Sequence, residues 1–101
     1  EGLVDRVKTA GARLEAGLRT LAERYTAIRE IRGSGLMWGL DVDETVAKTI
    51  VGAALDHGLI INLTAGTVIR LLPPLTISDD DIDAGLTRLD RAIEFVTART
   101  T

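Results

Sequence analysis

Apolar residues Leu3, Val7, Ala10, Leu14, Leu18, Leu21 and Tyr25 recur at steps of three and four, which puts them on one stripe of a helix running from about residue 3 to residue 25. The opposite side carries Arg6, Lys8, Arg13, Glu15, Arg19, Glu23 and Arg24, the mixed-sign set of a solvated helix surface. Gly11 and Gly17 interrupt this helix. Each costs roughly 0.5–1 kcal/mol against Ala in a helix interior, so the pair hints at close approach by another element. From Ile28 to Val42 the pattern changes period. Ala27, Arg29 and Ile31 alternate with Ile28 and Glu30, Gly33-Ser34-Gly35 turns the chain, and Leu36, Trp38, Leu40 and Val42 alternate after it, which predicts a hairpin.

Helical spacing returns with Val46, Ala47, Ile50, Val51, Ala54 and Leu55, predicting a second helix over Glu44–His57 with Gly58 as its left-handed C-cap. Leu59–Leu63 and Thr67–Leu72 are β-rich runs separated by Thr64-Ala65-Gly66, the composition of a second hairpin. Pro73-Pro74 ends it, because neither proline can donate to a ladder. Ser78 followed by Asp81 resembles a capping box with Asp in place of Glu or Gln, and Ile77 with Ile82 can form the hydrophobic staple across it. A third helix starts there, with Ile82, Leu86, Leu89, Ile93 and Val96 on its apolar face, and the thinning pattern after Val96 predicts a frayed end. The expected fold is therefore α/β of the α+β type, in the order α-ββ-α-ββ-α. It has a small, mostly antiparallel sheet with the helices packed on one face, and no crossover helix is required.

The 101 residues make a single domain. An apolar fraction of 46% with a net charge of −3 argues against disorder, and the scattered basic residues form no positive face for nucleic acid. With no cysteine there is no disulfide, thiolate or iron–sulfur chemistry, and no apolar run approaches the length of a membrane span or a signal peptide. These features fit a cytoplasmic protein. The helical pattern begins almost at Glu1 without a capping residue, so the sequence reads as a piece of something longer.

Most of the candidate chemistry has a structural explanation. His57, the one histidine, stands at the end of a helix, where the dipole favours an imidazole. Asp79, Asp80, Asp81 and Asp83 lack the spacing, glycine and terminal glutamate of a calcium loop, and carboxylates suit a first helical turn. Gly33-Ser34-Gly35 is no dinucleotide fingerprint, since Trp38 stands where the third glycine belongs and no βαβ unit surrounds it. Ser34 and Ser78 fall at a turn and a cap. Lys8 and Lys48 sit in ordinary helical surroundings, unlike a desolvated Schiff-base lysine. No catalytic group is assigned on this chain.

Arg70 is different. From His57 to Ser78 it is the single fully ionised side chain, set in a strand among Val68, Ile69, Leu71 and Leu72. A guanidinium cannot shed its proton, so it must reach water, pair with one of the chain's own carboxylates, or find an external anion. Its parallel N–H donors fit a carboxylate bidentately, which makes Arg70 a candidate substrate-binding residue for a small organic acid.

The segments IREIRGSGLMWGLDVD at 28–43, GLIINLTAG at 58–66 and VIRLLPPLTISDDDID at 68–83 resemble the C-terminal small domain of class III pyridoxal-phosphate aminotransferases, most closely the acetylornithine branch. The likeness covers nearly the whole chain. It implies a transaminase passing an amino group from N-acetylornithine to 2-oxoglutarate in arginine biosynthesis. Arg70 would match the family's arginine that holds a substrate carboxylate at the domain boundary. It also implies pyridoxal phosphate in the complete enzyme, held by a separate large domain that supplies the catalytic lysine, and a homodimeric parent. On this reading residues 1–101 are inactive alone and expose apolar surface that can self-associate. Other members of the family, acting on ornithine, succinyldiaminopimelate or 4-aminobutyrate, share the same pattern. A stand-alone non-enzymatic binding module that takes up a small acid is the remaining alternative.

Overall fold

The computed structural model describes residues 2–56, 61–71, 73 and 77–99. Helix α1 spans Leu3–Arg24 and, as its sequence predicts, starts from Gly2 with no side-chain cap. Its stripe buries Ala10, Leu14, Leu18 and Leu21, and Val7 and Tyr25 pack at the margin. Strands β1 (Ile28–Ser34) and β2 (Met37–Val42) form the expected antiparallel hairpin, turning through Gly35 at φ 55, a left-handed value that costs a glycine nothing. The register shifts between Ile28 and Glu30. That irregularity resolves the poor alternation of this segment: Ile28 and Ile31, three apart, both reach the core side only because one extra residue is absorbed between them.

Helix α2 covers Glu44–Asp56 and buries Val46, Ala47, Ile50, Ala53 and Ala54. His57 and Gly58, assigned to its end from sequence, lie outside the described residues. Strand β3 covers Asn62–Thr64 and β4 covers Val68–Leu71. Among the described residues the turn sits one position later than its composition implies, with Ala65 at φ 54 and Gly66 at φ 78. Pro73 lies outside the strand, as a residue without an N–H should.

The four strands are ordered β1-β2-β4-β3 and every neighbouring pair is antiparallel. β2 and β3 therefore run parallel to each other with β4 inserted between them, and α2 does carry the chain across β4. This is a split β-α-β arrangement, which the length of each segment could not reveal.

Helix α3 (Asp79–Arg99) is capped as predicted: the Ser78 hydroxyl accepts the Asp81 N–H at 3.1 Å, and Ile82 is buried beside half-buried Ile77. The helix runs past Val96 to Arg99, and the Thr97 hydroxyl donates to the Ile93 carbonyl at 2.8 Å. α1 and α3 cross in the same direction. Arg6 meets Asp79 at 2.9 Å, Arg13 meets Asp83 at 2.6 Å and Arg24 meets Asp90 at 2.7 Å. Leu18, Leu40, Ile50, Ile69, Leu89 and Ile93, drawn from all three helices and two strands, fill the single core on one side of the sheet. Among the described residues the other side carries no helix.

Candidate functional site

Side chains alternate across a sheet, so the inward row Trp38, Leu40, Val42 and Ile69 leaves the intervening residues on the uncovered face. Register fixes who stands beside whom. Arg32 lies opposite Gly39, Gly39 opposite Arg70, and Arg70 opposite Asn62, giving one row across all four strands. The adjacent row is Glu30, Asp41, Val68 and Thr64.

Arg70 is exposed on this face, so the cost of burying an unpaired charge, which its apolar neighbours raise from sequence, does not arise. Ile69 and Leu71 point to the helical side and Arg70 away from it. Among the described residues no carboxylate pairs with Arg70; the outward pair on the same face is Arg32 with Glu30, 2.8 Å apart. That hydrogen bond holds the Glu30 carboxyl below its usual range and raises Arg32 in turn. Arg32 is thus already engaged, and Arg70 is left with its fork of donors open.

Next to Arg70 across the ladder stands Gly39, which carries no side chain. A Cβ built there would stand 3.3 Å from Val68 Cγ1, so the position is bare and crowded against substitution. Neither this glycine nor Asn62 was singled out from sequence. Their place beside Arg70 follows from cross-strand register, which a linear pattern does not contain.

The remaining candidates are dispersed. Lys8 and Lys48 are exposed on α1 and α2, and neither has the buried setting that a Schiff-base amine needs. The chain's own described residues therefore do not fit the role of holding pyridoxal phosphate covalently. Ser34 is exposed at the end of β1, and Ser78 is occupied as a cap. Asp79 and Asp83 are taken by Arg6 and Arg13 of α1, and among the described residues no cluster could hold a metal ion. His57 lies outside the described residues.

Among the described residues, shallow clefts lie elsewhere. One of about 580 Å³ runs between α1 and the β1–β2 turn, and one of about 490 Å³ lies among the end of α1, the start of α2 and α3. Neither reaches Arg70. Among the described residues no helix is long and apolar enough to cross a membrane.

Comparison with known proteins bears on the family and the fold. Residues 1–93 match the family model described as Aminotransferase class-III. The acetylornithine aminotransferase of Caldanaerobacter subterraneus subsp. tengcongensis is 40% identical over 90 residues, covering 89% of this chain and 23% of that protein. The crystal structure of N-acetylornithine aminotransferase from Stenotrophomonas maltophilia K279a superposes with a TM-score of 0.88 at 29% identity, covering 96% of this chain and 28% of that one. An ornithine aminotransferase from Toxoplasma gondii gives the same TM-score at 30% identity, covering 96% of this chain and 24% of its own; its structure shows partial occupancy of PLP at the protein active site. The chain thus spans about a quarter of the length of the relatives it matches.

Proposed function

The chain belongs to the class-III aminotransferases, and on that premise we propose that it is the C-terminal small domain of a pyridoxal-phosphate transaminase that moves an amino group from N-acetylornithine to 2-oxoglutarate. Its own contribution is binding and orientation. Arg70, on the helix-free face of β4, receives a substrate carboxylate in a bidentate contact and fixes how the acid lies relative to the cofactor. The cofactor supplies the electron sink for amino transfer and is held by a large domain, which covers the open sheet face in a homodimeric, cytoplasmic enzyme.

The observation that carries this reading is that Arg70 stands exposed beside bare Gly39 with no carboxylate partner among the described residues. An exposed guanidinium with an intramolecular partner would be ordinary surface chemistry, as Arg32 with Glu30 is. A guanidinium with no carboxylate partner among the described residues suits an acid that comes from outside.

The test is Arg70→Gln in the complete enzyme. KM for carboxylate substrates rises at least about tenfold, as expected for loss of a charge-assisted bidentate contact. Wild-type KM values for donor and acceptor would remove the assignment. A second reading, an ornithine-type donor, is favoured by the equal superposition on the Toxoplasma gondii structure. Turnover of ornithine in preference to its acetylated form would establish it.

A further inference from the structure

β1 is an edge of the sheet: in the order β1-β2-β4-β3 it pairs with β2 on one side, and among the described residues no strand pairs with its other side. The two-residue loop Gly35-Leu36 makes Ser34 and Met37 the bonded pair that closes the hairpin. Bonded positions alternate along an antiparallel ladder. Arg32 therefore also bonds to β2, while the N–H and carbonyl groups of Ile31 and Gly33 point out of the sheet.

A groove runs along this edge. α1 lies beside β1 in the opposite direction: Gly11 abuts Gly35 at one end, and the Ile28 N–H meets the Tyr25 carbonyl at 3.1 Å at the other. The cleft of about 580 Å³ between them has Val7, Ala12 and Ile31 along it and Lys8, Arg19 and Arg32 at its rim. From Lys8 to Arg19 the helix advances ~16 Å, the length of about five residues of extended chain.

We infer that this groove is a docking site for an extended, acidic peptide segment of another protein, which adds to β1 as a fifth strand. The outward groups of Ile31 and Gly33 supply the main-chain hydrogen bonds. Successive side chains of an added strand point to opposite faces, so one set rests on Val7, Ala12 and Ile31 and is small and apolar, and the other lies beside Arg32 and is acidic. Charge selects this occupant. Glu15 holds Arg19 and Glu30 holds Arg32, in exposed pairs that are worth little. Lys8 has no carboxylate partner among the described residues. The rim thus stays net positive on a chain whose net charge is −3. Because the cleft does not reach Arg70, the inference stands apart from the role given to that residue.

Fluorescence anisotropy of labelled hexapeptides titrated with the complete enzyme tests it. Glu-Val-Glu-Val-Glu-Val binds saturably with Kd below about 1 mM, and more weakly as salt rises. Lys-Val-Lys-Val-Lys-Val does not bind. The acidic peptide N-methylated at every amide keeps its charge but cannot extend a sheet, and it loses at least about tenfold in affinity. Lys8→Glu weakens the acidic peptide about fivefold or more, with kcat, KM and melting temperature unchanged. No saturable binding, equal binding of the basic peptide, full affinity after N-methylation, or indifference to Lys8→Glu each overturns the inference. Sedimentation showing that Lys8→Glu separates paired copies of the enzyme would give the groove to a second copy and overturn it too.

Discussion

Gly11 of α1 lies so close to Gly35 of the β1–β2 turn that a Cβ on Gly11 would stand 2.4 Å from the Gly35 carbonyl oxygen. The same oxygen accepts the indole N–H of buried Trp38 at 2.7 Å, so it has nowhere to go. Gly17, six residues on, would clash with Leu86 Cδ1 at 2.3 Å, but that is the end of a rotatable side chain. Alanine at either position gains about 1 kcal/mol in helix propensity. Gly11→Ala is expected to lose more than that and to be net destabilising by roughly 1–2 kcal/mol, a fall in Tm of several degrees, whereas Gly17→Ala stays near neutral. Thermal denaturation of the two variants checks the contrast, and equal behaviour would count against the immobility of the Gly35 carbonyl.

Tyr25 ties the end of α1 to α3. Its hydroxyl donates to Asp90 Oδ1 at 2.5 Å, and the Arg24 guanidinium lies 5.5 Å from the ring centre. Burial, followed by the bond to Asp90, pushes the phenol up to about 12. A folded value above the unfolded one means the contribution is complete below pH 10 and is lost as pH rises toward 12. Chemical denaturation across pH 9–12 should therefore show stability falling in that window. Tyr25→Phe should be less stable at neutral pH and should flatten the alkaline decline; an unchanged slope would show that Tyr25 is not its source.

Ala65 holds φ 54 in the β3–β4 turn, a conformation that disfavours a Cβ, while its neighbour Gly66 at φ 78 is suited to it. Asparagine tolerates the left-handed region better than alanine and does not carry the unfolded-state entropy of glycine. Ala65→Asn is expected to raise stability by about 0.5–1 kcal/mol, read as a higher Tm. A lower Tm would mean that the turn does not keep this geometry in solution.

Asp43 caps α2: its Oδ1 accepts the Thr45 N–H at 2.9 Å and the Thr45 hydroxyl at 2.8 Å. These bonds, the backbone N–H first, hold the carboxyl below the ordinary aspartate value, and Arg29 at 3.1 Å adds to them. The contribution is present above the unfolded pKa of 3.8 and fades as pH falls through the lower folded value. At neutral pH, Asp43→Ala should speed amide exchange at Thr45. Asp43→Asn should keep that protection and lose its acid dependence, since asparagine caps as well as aspartate. If both variants exchange alike, the side-chain oxygen is not the cap.

The helices were legible because each buries one stripe at its own period, and Ser78 marks the start of α3 on the page. Two features were not. The bulge after Ile28 makes a strand look aperiodic, and the insertion of β4 between β2 and β3 depends on pairing between distant segments. For the site, Arg70 was conspicuous as a lone charge, but its face was not, because Val68, Ile69, Leu71 and Leu72 give no alternation to read. Asn62 came forward only through its register with Arg70, which depends on where the Ala65-Gly66 turn falls.

The Arg–Asp ties between α1 and α3 join the first helix of this sequence to the last. During synthesis the β1–β2 hairpin can cover only part of α1, and the side that meets α3 waits for some seventy further residues, several seconds at ordinary translation rates. Nascent chains stalled before Asp79 should accordingly be captured by holdase chaperones, and release should coincide with emergence of the closing helix.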